Sequence, residues 1–452
     1  MGHVVEQDVV NRARGLMAQL RADLEALVRI PSVSVPGRID PPLLEAFELT
    51  SRLFADAGVT VDRLDLPDTA PVVTGEIPAP EGAPTVLLYS HYDVVPAGDE
   101  TLWTSPPFEP TERDGALVAR GVADTKSNIL AHVGALRAWG GRPPVGVKLC
   151  IEGYEEIGSG ALTAYPPTDP QRFQADALVI ADMGSLRPGM PTLTTALRGM
   201  ANVLVEVRTL ESGKHSGQYG GAAPDALLAV LHALASLHDA NGNVGVAGLR
   251  RNEWQGEQQP EEDFRALATV LDGMPLLGTG GLGARVWSGP AITVIGIDVP
   301  SVDGAVNAVS PYARAVLNVR VHPEQDAAEA QDAVIAHLRD QRPFGIELNV
   351  QPGATGNGFA AATEGPAYEA ARAAWTAAWG QEVMLAGSGG SIPIVSALAQ
   401  ALPDAEALLV GTTDGFANIH GPDERLLLTE FENAVVAEAD FLGRYAAAWA
   451  DR

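Results

Sequence analysis

The sequence predicts an α/β protein: a mostly parallel sheet covered by helices, carrying an inserted two-layer α+β domain. Three observations predict it. Before residue 197, short continuous apolar runs recur, "PTVLLYS", "VGVKLCIEG" and "DALVIADMG", with a helical pattern, "SNILAHVGALRAW", between the first two. Runs of that length, apolar throughout, suit strands buried on both faces. After residue 197 the runs "GMANVLVEVRTL", "AITVIGIDV", "ARAVLNVRVH" and "GIELNV" alternate apolar and polar, as half-exposed antiparallel strands do. From about 364 the earlier pattern returns, with helical "GPAYEAARAAWTAAW" and the buried strand "EALLVG".

The elements follow in order. Residues 7–28 predict one amphipathic helix, stopped by Pro31, and residues 43–57 a second. Helical runs at 224–239 and 326–340 sit among the alternating strands. The Gly-rich segment 241–285 has weak periodicity and reads as an excursion of the insert. The expected organisation is a discontinuous domain, 1–196 plus 354–452, with an insert at 197–353.

Hydrophobic residues make up 46% of the chain and charged residues 19%, a globular composition. Asp plus Glu outnumber Lys plus Arg by 57 to 30, a formal charge of -27. That field repels phosphate backbones and anionic lipid, so no nucleic acid or membrane partner is expected. A site that gathers divalent metal fits it better. The one cysteine, Cys150, excludes an intrachain disulfide and a cysteine-based zinc cluster. Its apolar run, "VKLCIEG", predicts a small buried hydrophobe. The N-terminus shows no apolar signal region, and Glu6 stands where myristoylation wants Ser or Thr. The longest apolar helical run, "ALLAVLHALASL", is too short to span a bilayer. A cytoplasmic location is the expectation.

Ligands of open α/β sheets gather beyond the carboxyl ends of the strands. Three predicted strands end in polar residues: His91 and Asp93 in "SHYDVVPAG", Glu152, Glu155 and Glu156 in "IEGYEEIGSG", and Asp182 in "VIADMG". The loop "RGVADTKSN" adds Asp124 and "GFANIHGPDE" adds His420. Singly, each has a bland reading: a structural histidine, an N-cap aspartate, a solvated Glu pair. Together, two imidazoles and several carboxylates are what borderline-to-hard divalent metals bind. Without metal, converging carboxylates would repel one another and raise their pKa values. The "GTGGLG" at 278–283 lacks a flanking strand and helix and reads as a loop.

These motifs, in this order, resemble the dinuclear zinc metallopeptidase family of aminoacylases, glutamate carboxypeptidases, desuccinylases and carnosine-type dipeptidases. The resemblance runs from "LVRIPSVS" to His420. It implies that His91 and Asp182 bind one zinc, Glu156 and His420 the other, and that Asp124 bridges both. Asp93 would orient His91, and Glu155 would be the general base. In the insert, His215 of "SGKHSGQYGG" would stabilise the oxyanion from the partner subunit of a homodimer. Arg320 in "LNVRVHP" would bind a substrate carboxylate, with Asn307 of "NAVSP" near it. Ser391 and the Gly390 N–H, in "GSGGSIP", would offer further hydrogen bonds. The insert would then be a lid and dimerisation domain. Thr125 departs from the Asp or Asn usual after the bridging aspartate, where the family commonly has a cis peptide.

Two zinc ions per chain are expected, with cobalt or manganese as alternatives. Asp182, rather than Glu, resembles the peptidase branch. The expected activity is hydrolysis of a short peptide with a free carboxylate, by a dipeptidase or carboxypeptidase. An N-acyl-amino-acid deacylase is the alternative, and a catalytically silent peptide-binding homologue a more distant one.

Overall fold

The computed structural model describes residues 2–390 and 392–452. The chain packs into two units: Met1–Thr195 with Ala361–Ala386 and Ile392–Arg452, and Ala196–Ala360 with Gly387–Ser391.

In the first unit the continuous apolar runs form the centre of the sheet. Its strands lie in the order Thr60–Leu64, Val72–Ile77, Gly146–Glu152, Thr85–His91, Ala177–Ala181, Glu406–Val410, Thr192–Leu197. The middle four are parallel. The flanking pairs are antiparallel. The centre is buried on both faces, which is why Leu87, Leu88, Leu178 and Val179 are all fully buried. Cys150 is buried in this sheet.

Helix Ser127–Ala138 is buried along nearly its whole length, and helix Leu428–Ala450 packs on it. His132 joins the two helices to the sheet. Its Nδ1 is 2.7 Å from Glu438 Oε1 and its Nε2 3.1 Å from the Tyr89 carbonyl. The helix expected over 7–28 is instead two helices, Gly2–Gly15 and Met17–Val28, meeting at Leu16. Gly15 stands at that break, and glycine is the weakest helix former after proline.

In the second unit the alternating runs form an antiparallel sheet in the order Ala291–Asp298, Tyr312–Val321, Gly199–Arg208, Asn349–Gly356. Buried and less buried residues alternate along Gly199–Arg208 and Tyr312–Val321. The buried face packs on helices Ala226–Ala235 and Ala327–Gln341, closing a two-layer core. The last strand starts at Asn349, later than "GIELNV" suggests, because 343–345 form a short 3-10 turn first. Among the described residues, no helix is long and apolar enough to cross a membrane.

Candidate metal centre

The parallel strands of the first unit all end at one edge, and that edge assembles the site. His91 is the last residue of its strand and pairs in register with Glu152 of the next. Glu155 and Glu156 follow in a 3-10 turn. Asp182 comes one residue after strand Ala177–Ala181, its N–H donating to the Val410 carbonyl at 3.1 Å. Asp124 lies in the turn before helix Ser127–Ala138, and the Asp124–Thr125 peptide is cis. Thr125 Oγ1 donates to the His91 carbonyl at 3.0 Å, joining that turn to the strand end. His420 sits in a loop closed by Arg425, whose two Nη atoms reach the Asp414 carboxylate at 2.9 and 3.0 Å.

Two ligand groups result. His91, Asp124 and Asp182 form one, and Asp124, Glu156 and His420 the other. Nε2 of His91 is 3.1 Å from Asp124 Oδ1 and 3.4 Å from Asp182 Oδ1. Nε2 of His420 is 3.1 Å from Asp124 Oδ2 and 3.0 Å from Glu156 Oε2. Asp124 thus gives one oxygen to each group.

The donor set fits divalent metal: two imidazoles and three carboxylates, all nitrogen and oxygen. Glu156 Oε1 is buried without a hydrogen-bond partner among the described residues. A buried orphan acceptor is costly, and a cation would satisfy it. Electrostatics point the same way. Burial, then the Asp124 negative charge among its neighbours, raises the Asp182 carboxyl to about 6 despite the opposing pull of His91. Hydrogen bonds to Asp124 and Glu156 raise His420 to about 10. Burial would lower His91, but Asp124, Asp182 and Asp93 together raise it well above the usual histidine value.

Glu155 belongs to neither group. With no cation beside it, burial, and next Asp182, push its carboxyl up to about 9, and dications in the two groups would draw it back down. Asp93 lies behind His91. Its carbonyl is 3.0 Å and its carboxylate 3.3 Å from His91 Nδ1. The same carboxylate accepts the N–H groups of Glu155 and Glu156, each at 3.2 Å. So Asp93 orients one imidazole and holds the turn that presents two glutamates. Glu152 faces elsewhere, accepting from Tyr89 Oη at 2.8 Å and Ser159 Oγ at 2.9 Å.

His215, Asn307, Arg320 and Gly390 belong to the second unit. His215 is exposed, and its short strand pairs with Ala308–Val309. Ser216 N–H donates to the Asn307 carbonyl at 2.9 Å, so the histidine and asparagine motifs adjoin. Arg320 is half-buried, and desolvation lowers its pKa. Gly390 N–H donates to Ser388 Oγ at 3.2 Å. Ser391 lies outside the described residues.

Sequence reasoning passes over Arg120 and Glu424, both buried beside the site. A signal was present: each lies four residues from a predicted ligand, Asp124 and His420.

Residues 87–444 match peptidase family M20/M25/M40. Cysteinylglycine-S-conjugate dipeptidase of Corynebacterium striatum is 40% identical over 420 residues, covering 91% of this chain and 92% of its own. Beta-Ala-His dipeptidase of Rattus norvegicus is 27% identical over 402 residues, 80% of each chain. Among solved structures, the di-peptidase Dug1p from Saccharomyces cerevisiae shares the fold with a TM-score of 0.81 at 22% identity, over 99% of both chains. Human carnosine dipeptidase 1 does so with a TM-score of 0.81 at 23% identity, over 98% of this chain and 99% of its own. Fold, site and sequence likeness together define a metal-dependent peptidase. The chain belongs to peptidase family M20/M25/M40.

Proposed function

We propose that this peptidase is a dinuclear zinc dipeptidase acting on a short substrate with a free carboxylate. The observation that carries the reading is the pair of ligand groups sharing Asp124, with Glu155 beside them but in neither. His91 and Asp182 would hold one ion, Glu156 and His420 the other, and Asp124 would serve both groups. Three carboxylates against two dications leave a net positive site that suits an anionic nucleophile. When bound, the ions supply Lewis acidity to the scissile carbonyl and acidify the attacking water. Glu155 takes the proton from that water and returns it to the leaving amine, a service worth about 10²–10⁴ in rate. Asp93 keeps His91 and the Glu155–Glu156 turn in place.

Arg320 suits the substrate carboxylate: it is half-buried, and among the described residues its guanidinium makes no hydrogen bond or ion pair. Its planar fork would make two parallel bonds to that group. Asn307, Ser391 and the Gly390 N–H, which would exchange Ser388 Oγ for the substrate, complete this end in our reading, and His215 supports the oxyanion from a partner subunit. A homodimer is consistent with strand Ala291–Asp298, which ends its sheet. Val294, Ile295 and Ile297 are exposed on it, at 43%, 58% and 37%. An apolar, unpaired edge invites strand pairing with a second copy.

The test is to strip the protein of metal, reconstitute it with zinc, cobalt or manganese, and assay released amine. The names of the relatives choose the first substrates: S-substituted cysteinylglycine and β-alanyl-histidine. N-acyl-amino acids complete the panel. Metal-restored cleavage of dipeptides is expected. Cleavage of N-acyl-amino acids alone would make the protein a deacylase, and full activity after verified metal removal would reject the mechanism.

A further inference from the structure

Asp124 and Glu424 are 300 residues apart in the chain, yet Glu424 grips the turn that carries Asp124. Its side chain is fully buried and both its oxygens are in use. Oε1 accepts the N–H groups of Ala123 at 2.9 Å and Asp124 at 3.1 Å. Oε2 accepts the N–H of Gly121 at 3.0 Å and Nη1 of Arg120 at 2.6 Å. The N–H groups converge because Gly121 has a left-handed φ of 76°, which turns the backbone into an anion-holding concavity. Gly121 is required there on a second count, since a Cβ would meet Val94 Cγ1 at 2.3 Å.

The grip runs in both directions. Arg120 Nη2 donates to the carbonyl of Gly421, the residue after His420, at 3.1 Å. The Ala119 N–H donates to the Glu424 carbonyl at 3.0 Å. The guanidinium of Arg120 also lies over the Trp103 ring, 5.2 Å from its centroid. So the segment that ends in Asp124 and the segment that begins at His420 are fastened to each other beneath the site.

We propose that Glu424 is a positioning residue that sets Asp124 against His420 and so fixes the geometry of the ligand group they share with Glu156. The inference rests on the metal-peptidase reading above. Glu424 itself belongs to neither ligand group.

The site needs a carboxylate, and not merely a polar side chain of that size. Four donors converge on two oxygens, two to each. In Glu424→Gln, whichever way the amide turns, its NH2 faces two donors where an acceptor stood. Glu424→Asp keeps the charge but withdraws it by about 1.5 Å, one carbon–carbon bond. Either change loosens the turn at Asp124 while leaving all five ligands in the chain.

The experiment compares wild type, Glu424→Gln and Glu424→Asp. Metal-free samples are first checked for fold by circular dichroism and melting. Zinc affinity is then measured by chelator competition, and the cobalt(II) absorption spectrum is recorded. In both variants we expect affinity for one ion to fall at least about tenfold, the range seen for groups that support metal ligands. The other ion, whose group shares Asp124 but not His420, should weaken less. The cobalt bands of one site should shift, and kcat should fall with KM for a dipeptide little changed. A residue that only stabilised the fold would lower the melting temperature and leave affinities and spectrum alone, which would overturn the proposal. Equal weakening of both ions would overturn it too, as would failure of both variants to fold. Wild type that binds fewer than two ions would instead reject the dinuclear reading itself.

Discussion

His91 and His420 face opposite oxygens of one carboxylate. Nε2 of the first is 3.1 Å from Asp124 Oδ1, and Nε2 of the second 3.1 Å from Oδ2. Neither oxygen is spare. Asp124→Ala removes both oxygens at once. We therefore expect this variant to lose metal from both groups, read as metal content per chain after exhaustive dialysis. Retention of one full equivalent would show that Asp124 serves a single ion.

Metal uptake should release protons. In the metal-free protein His420 titrates near 10, held up by Asp124 and Glu156, so it is protonated at neutral pH. A metal needs the ring nitrogen free and must expel that proton. The sign follows: zinc affinity rises with pH up to about 10 and weakens as pH falls below it. Calorimetric titrations at pH 7.5 in two buffers of different ionisation enthalpy should report about one released proton from this residue alone. In His420→Ala that contribution should vanish. An unchanged proton count in the variant would refute the assignment.

Glu155 and His420 separate chemistry from metal binding. Glu155→Gln keeps the size and hydrogen-bonding reach but cannot accept a proton from water. Metal content should match wild type while kcat drops by about 10² or more. His420→Ala should do the reverse first, weakening one ion. If Glu155→Gln lost metal and His420→Ala did not, the roles would be exchanged.

Asp93 combines two duties that a single substitution can expose. Its carboxylate is 3.3 Å from His91 Nδ1 and accepts from the Glu155 and Glu156 backbones. Asp93→Asn leaves one oxygen and one NH2 where two oxygens stood. One of the two N–H groups must then face a donor. Affinity for the ions should fall about 10–100-fold, with kcat falling as well because Glu155 moves. A variant that reduced kcat at unchanged affinity would confine Asp93 to the Glu155 turn.

The site was legible because its residues are polar interruptions of apolar strands. His91 and Asp182 end runs that have no other reason to stop on a charge, and parallel pairing brings such ends to one edge. Glu155 and His420 stand out only with the other motifs, in the order that carries the family resemblance. Glu424 does not, although it lies in the same motif as His420. Its meaning depends on a turn 300 residues away and on the φ of Gly121, neither of which leaves a periodic pattern. The break at Leu16 was hidden for a different reason: residues on both sides are helical, so the amphipathic pattern runs through it. The packing of 387–390 with the second unit follows from long-range contacts of a glycine- and serine-rich stretch with no apolar period of its own.

The last prediction tests the proposed dimer through its chemistry. If strand Ala291–Asp298 pairs with its copy, Ile295→Lys should place a charge at the contact and give monomers by sedimentation. Suppose also that His215 serves the partner's site. Each active site then combines Glu155 of one chain with His215 of the other. Homodimers of His215→Ala and of Glu155→Gln should both be nearly inactive. Let the two variants exchange subunits at equal amounts. Random pairing makes about half the dimers mixed. One site of each mixed dimer has both residues intact and the other has neither, so about a quarter of all sites should recover wild-type turnover. A histidine acting within its own chain gives no recovery, because every site keeps one defect. Exchange is confirmed by mass before assay. Adding Ile295→Lys to both variants should abolish the rescue along with the dimer. Mixed dimers that form without rescue would return His215 to its own subunit.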